Sequence, residues 1–219
     1  MKTLLLSMVS PAYYPLAAVT TPSHEAYAKA QGYDCRCLPI KDSPDPYGGA
    51  EGEIARLRGV LAAFDEGYEQ VVMHDMDVIF TNHTIRAEDI MAGALVVVAR
   101  EHLRWWPINL GVVIWRKGES ASRLLHRLIE DEKIWVKYKW TVQTHFWNLM
   151  QTDAETRAAV VLVPARVMNS TGQTGAPLSR WQLGDFVLHL LDMPLAERIE
   201  TARAIIGLTG PQFDGTLLK

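Results

Sequence analysis

Val71-Val72-Met73-His74-Asp75-Met76-Asp77-Val78-Ile79-Phe80 decides how this chain of 219 residues is read. An apolar run of strand length leads into two aspartates two residues apart, and a second apolar run leads out of them. On an extended chain, residues i and i+2 share a face, so Asp75 and Asp77 project to the same side. An apolar strand leading into them places them at its C-terminal end, the edge of an open α/β sheet where ligands bind. Two anions held together repel each other unless a cation is shared, and carboxylate oxygens suit Mg2+ or Mn2+. The alternative is a pair of solvated loop aspartates, against which the apolar residues on both sides argue. His74, by alternation, points to the opposite face and reads as structural.

Upstream, Thr3–Val9 is an apolar run of strand length ended by Ser10-Pro11, and Leu16–Gln31 has helical composition with Gly32 as its stop. Tyr33–Ile40 reads as a second strand and 42–49, with two prolines and two glycines, as a loop. Glu53–Phe64 is an amphipathic helix, with Ile54, Leu57, Leu61 and Phe64 at three- and four-residue steps. Downstream, the apolar runs 95–99, 111–115, 160–163 and 186–190 read as strands, and 120–132, 142–150, 154–159 and 195–206 as helices. Strands alternating with helices predict one α/β domain over residues 1–206. Its mainly parallel sheet would be flanked by helices on both faces, and 207–219 would form a C-terminal tail.

Composition removes several function classes. Hydrophobic residues make up 48% and charged residues 21%, which excludes disorder as the main state. A formal net charge of −3 with scattered Lys and Arg leaves no basic stripe for nucleic acid. No apolar run reaches the length of a membrane span, and Met1–Val9 reads as a buried first strand rather than a secretion signal. Cys35 and Cys37, the only two cysteines, read as buried free thiols. A cytoplasmic location is the expectation.

A second signal lies at Gly184-Asp185-Phe186-Val187-Leu188-His189, where His189 ends another apolar strand. Its imidazole could supply a third metal ligand, or it could be a satisfied structural histidine. Taken in order, the N-terminal strand, the Tyr-rich turn, HEAYAKAQGYD (24–34), VVMHDMDVIF (71–80), NLGVVIWRKGES (109–120), QTHFWNLM (143–150) and GDFVLHLLDMPLAERI (184–199) match one pattern. It resembles a glycosyltransferase of the GT-A, Rossmann-like fold, similar to the retaining galactosyl-, mannosyl- and xylosyltransferase families and to glycogenin. The resemblance covers roughly residues 1–200.

The resemblance implies that Asp75, Asp77 and His189 ligate a divalent ion, typically Mn2+. The donor would be a nucleoside-diphosphate sugar, most often a UDP-sugar, and the acceptor a carbohydrate, glycolipid or protein. Ser10, Ala12 and Tyr13 would hold the nucleoside, Asn109 and Gly111 would line the sugar pocket, and Gln143 would lie beneath the anomeric carbon. The resemblance implies transfer with retention, in which a neutral amide, a poor nucleophile, can support oxocarbenium charge. Three positions depart from the family pattern: Val142 stands where an Asp usually precedes the Gln, Glu53 where a helix Lys is common, and Asp192 where a Gly commonly follows the His. Arg198 is a candidate substitute cation for gripping the diphosphate, or else a surface arginine. Trp105 and Trp106 are candidates for stacking against an acceptor sugar, or core residues.

Two other readings compete with a glycosyltransferase. A GT-A-like module could hold a nucleotide sugar without transferring it, as Val142 and Asp192 suggest. A haloacid-dehalogenase-type phosphatase also ends a strand in D-x-D, but there the motif opens the first strand of the core, whereas here it lies 74 residues in.

Overall fold

The computed structural model describes residues 1–41, 49–103, 106–137, 141–172 and 177–209. The N-terminal run forms β1 (Thr3–Val9), almost wholly buried, followed by a 3-10 turn at Pro11–Tyr13 and helix α1 (Tyr14–Gln31). α1 ends at Gly32, whose φ of 71° lets its N–H return to Ala28 O and Lys29 O. Then come β2 (Asp34–Pro39), α2 (Gly49–Asp65), β3 (Gln70–His74), β4 (Val78–Phe80), α3 (Ala87–Met91), β5 (Val96–Leu103) and β6 (Trp106–Arg116). The second half holds α4 (Glu119–Glu130), α5 (Glu132–Lys137), α6 (Val142–Thr152), α7 (Ala154–Ala159), β7 (Val160–Pro164), α8 (Ala165–Met168), β8 (Ser170–Thr171), β9 (Val187–His189) and α9 (Leu195–Thr209).

Six strands form the main sheet in the order β2-β1-β3-β6-β5-β7. β1 is parallel to β2 and β3, and β7 is parallel to β5, while β6 runs antiparallel to both of its neighbours. One face packs Leu4, Leu6, Val71 and Val113 against Ile54, Leu57, Leu124 and Phe146 of α2, α4 and α6. The other packs Leu5, Val72, Val97 and Ile114 against Tyr27 of α1 and against β4 and β9. β4, β9 and β8 form a second, three-stranded sheet whose outer side is closed by α9 through Ala202, Ile205 and Ile206. The strand order turns between β1 and β3, so a crevice opens at their carboxyl ends, the position where α/β sheets bind ligands.

β6 carries the feature that shapes this crevice. Val98 pairs with Val113 but the next residue, Ala99, pairs with Asn109. Leu110, Gly111 and Val112 therefore bulge out of the β5 ladder and need other partners for their backbone groups.

Some sequence expectations are adjusted here. Past the expected helix 120–132, Glu132–Lys137 form a further short helix, α5, and Trp135 is buried with its indole N–H on Leu128 O at 3.1 Å. The cysteines are free, but Cys35 is exposed and Cys37 half-buried, because β2 is an edge strand. β6 starts at Trp106, five residues before the apolar run 111–115 from which it was read. α9 continues through Thr209, three residues into the expected tail, and residues 210–219 lie outside the described residues, as do 42–48 of the expected loop. No helix among the described residues is long and apolar enough to cross a membrane.

Candidate functional site

The turn from β3 to β4 holds Asp75 and Asp77 and is pinned at every peptide. Asp75 N–H donates to Gly111 O at 2.8 Å, and Val78 N–H closes the turn on Asp75 O at 3.3 Å. Thr20 Oγ1 donates to Met76 O at 2.8 Å, and Leu190 N–H donates to Asp77 O at 3.0 Å. The carboxylates are thus aimed by a fixed backbone before any ligand arrives.

β9 delivers His189 to the same point. Its Nε2 lies 3.1 Å from Asp77 Oδ1 and 3.5 Å from Asp75 Oδ2. One ligand atom from each of the three residues lies within 4.8 Å of the others. Two hard carboxylate oxygens and one imidazole nitrogen are a suitable donor set for a divalent cation. Gly111 makes the convergence possible, because a Cβ there would come within 2.1 Å of His189 Cε1. The residue expected to line the sugar pocket is therefore also the floor beneath the imidazole.

Two arginines complete the electrostatics. Arg56 Nη2 of α2 is 2.8 Å from Asp75 Oδ1, and Arg198 Nη1 of α9 is 2.8 Å from Asp77 Oδ2. Burial alone would raise Asp77, but His189 and Arg198 hold it below its ordinary value. Burial would likewise depress His189, yet the two aspartates raise it. Asp75 stands at the rim with its side chain 31% exposed. It is pushed upward by burial and by Asp77 against the pull of Arg56 and His189.

The β6 bulge joins this cluster to α6. Asn109 Oδ1 accepts from Gly111 N–H at 2.7 Å, Gln143 Oε1 accepts from Leu110 N–H at 3.0 Å, and Arg56 Nη2 donates to Leu110 O at 3.1 Å. Gln143 is held at the first turn of α6, which Thr141 caps by accepting from Thr144 N–H at 3.3 Å. The Gln143 oxygen is thus engaged with the bulge in this structure. Ser10 and Tyr13 border the same cleft as Arg56, Asp75, Asp77 and Arg198, whereas Ala12, between them, is exposed. Trp105 lies outside the described residues. So does the side chain of Trp106, whose backbone begins β6.

Sequence reading missed Arg56. It sits one turn after Glu53, where a basic residue was looked for, and Glu53 Oε2 is 3.7 Å from its guanidinium. The three-residue spacing on a helix was the available signal. Asn169, whose Oδ1 is 3.1 Å from His189 Nδ1, and Glu101, buried with Oε2 3.5 Å from Asn109 Nδ2, carried no sequence signal. Asp192 has a φ of 52°, which explains why glycine is common there and shows that Asp takes the same left-handed backbone. His74 faces the other side, its ring edge-on to His24 at 4.3 Å, as alternation requires.

No protein-family model and no curated protein matches this sequence. Solved structures do match. A glycosyltransferase involved in the glycosylation of the major capsid of PBCV-1 superposes over 93% of this chain and 100% of its own, with a TM-score of 0.72 and 16% identity. The glycosyltransferase GlyE of Streptococcus pneumoniae TIGR4 matches over 94% of this chain and 63% of its own, with a TM-score of 0.55 and 13% identity. The bifunctional glycosyltransferase WbbM matches over 92% of this chain and 49% of its own, with a TM-score of 0.53 and 10% identity. Together with the sheet order and the position of the D-x-D turn, these likenesses identify the architecture: this chain has the GT-A glycosyltransferase fold.

Proposed function

We propose that this chain is a metal-dependent glycosyltransferase that moves a sugar from a UDP-sugar to an acceptor hydroxyl with retention. The observation that carries this reading is the convergence of Asp75, Asp77 and His189 on one point at the carboxyl edge of a GT-A sheet. Asp75, Asp77 and His189 would hold Mn2+ or Mg2+. When bound, the cation supplies Lewis-acid stabilisation of the departing diphosphate, so no protein general acid is required. Arg198, already charge-paired with Asp77, would grip the diphosphate, and Ser10 and Tyr13 would border the nucleoside. Gln143, Asn109 and Gly111 would form the sugar side. Gln143 would support the anomeric charge once its oxygen is released from Leu110 N–H. Trp105 and Trp106 would face the acceptor, a carbohydrate, glycolipid or protein.

A second reading, a module that binds the nucleotide sugar without transferring it, is favoured by Val142. This residue is 1% exposed and offers no acceptor for donor hydroxyls. Calorimetric titration of UDP with and without Mn2+, on the wild type and on Asp77→Ala, tests the site. Metal-dependent binding abolished by the substitution is expected, and no binding under either condition would overturn the proposal for UDP. UDP release across a panel of UDP-sugars then separates the enzyme from the binding module. An inverted anomeric configuration in the early product would overturn retention.

A further inference from the structure

Asn169 follows α8, donates its backbone N–H to Ala165 O at 2.6 Å, and is completely buried. Its Oδ1 stands 3.1 Å from His189 Nδ1. An amide oxygen only accepts, so this contact requires a hydrogen on Nδ1. In the neutral ring Nε2 then carries a lone pair. That nitrogen faces Asp77 Oδ1 at 3.1 Å and Asp75 Oδ2 at 3.5 Å. A lone pair aimed at two carboxylates is repulsive alone and becomes a ligand when a cation lies between them.

The competing arrangement is close at hand. With no acceptor beside Nδ1, the proton of a neutral His189 would sit on Nε2 and be donated to Asp77, occupying the nitrogen a metal needs. Asn169 Nδ2 is buried and has no hydrogen-bond partner among the described residues, so the contact with His189 is what this amide is oriented for. Gly111 packs against the Cε1 and Nδ1 atoms of the ring, where a Cβ would find no room.

We propose that Asn169 is a positioning residue of the metal site: its side-chain oxygen keeps the His189 proton on Nδ1 and so keeps the Nε2 lone pair directed between Asp75 and Asp77. This rests on reading Asp75, Asp77 and His189 as metal ligands, and its test separates the two claims. Mn2+ alone is titrated into the intact protein and the free ion is followed by electron paramagnetic resonance. Wild type, Asp77→Ala, Asn169→Leu and Asn169→Asp are compared, with folding checked by circular dichroism. Asn169→Leu fills the space without an acceptor and is expected to bind about 10–100-fold more weakly, the loss found when an outer partner of a ligating histidine is removed. Asn169→Asp keeps the acceptor and is expected to bind at least as tightly as wild type. If Asn169→Leu does not fold, Asn169→Ala makes the same deletion and carries the same expectation. Wild-type affinity in the deletion variant overturns the inference, and so does an Asn169→Asp variant as weak as Asn169→Leu. A wild type that binds no more Mn2+ than Asp77→Ala overturns the metal site itself.

Discussion

Replacing Gly111 with alanine tests the site by adding one methyl group. The new Cβ would lie 2.1 Å from His189 Cε1, 2.4 Å from Nδ1 and 2.9 Å from Asn109 Oδ1, where ordinary contact begins at 3.4 Å. The imidazole must therefore retreat by about 1.3 Å, or the β6 bulge must shift by as much. Neither movement is free. The ring is held through Nδ1 by Asn169 at 3.1 Å, and the bulge is held by Asn109, Gln143 and Arg56. Metal ligands tolerate roughly 0.2 Å of displacement, so a shift of this size would remove His189 from the proposed ligand set. Overpacking in so fixed a place costs about 1–3 kcal/mol of stability. Calorimetry with UDP and Mn2+ is expected to show at least about a tenfold loss of affinity relative to wild type, in a protein that thermal unfolding shows to be folded. Affinity within twofold of wild type would refute the idea that Gly111 makes room for a ligating His189.

Arg198→Ala removes the partner of Asp77 that the proposed function assigns to the diphosphate, and on that proposal it should weaken metal-dependent UDP binding by about tenfold or more, read in the same titration. Asp192→Gly relieves a left-handed backbone at φ 52° and should raise stability by about 0.5–1 kcal/mol, or roughly 1–4 °C in Tm by calorimetric scanning. His24 is depressed to about 4 by burial, against the opposing effects of its hydrogen bond to Val78 O and of Asp77. Its folded value lies below its unfolded one, so its contribution is fully present above pH 6.5 and is lost as the pH falls towards 4. Urea unfolding should record a loss of about 3 kcal/mol over that window from this group, and His24→Gln, which does not titrate, should flatten the slope.

The parts of this fold legible in the sequence are those set by local periodicity. β1 is an uninterrupted apolar run and appears with the bounds expected, while α2 repeats its apolar residues at helical spacing and begins four residues earlier than expected, at Gly49. Asp75 and Asp77 were visible because carboxylates rarely interrupt a buried strand, and His189 because it ends one. What escaped reading depends on partners distant in the chain. β6 is antiparallel and carries Pro107 and Asn109 near its start, and Asn109 serves the bulge by accepting from Gly111 N–H. Arg56 looks like any helix arginine until α2 is laid across β6, whereas Arg198, a candidate cation in the sequence, meets Asp77 where α9 closes the small sheet. Asn169 is followed by Ser170 and Thr171, and Glu101 lies between Arg100 and His102, so neither stands out in the sequence; only the three-dimensional structure shows that both are buried beside the site.

The small sheet joins segments far apart in the chain. Asp77 meets Arg198 across 121 residues, and Thr81 meets Asp185 across 104. On a ribosome, the aspartate turn emerges long before the strand and helix that complete it, so a nascent chain ending before β9 has the acidic pair but no His189 to close it. Such non-local closure slows folding, because the entropy of joining distant segments is lost before their contacts form. Ligands that bind only the closed site draw the folding equilibrium towards completion by mass action. In this protein, a ligand that needs Asp77, His189 and Arg198 together would thus be held only by a chain made through α9.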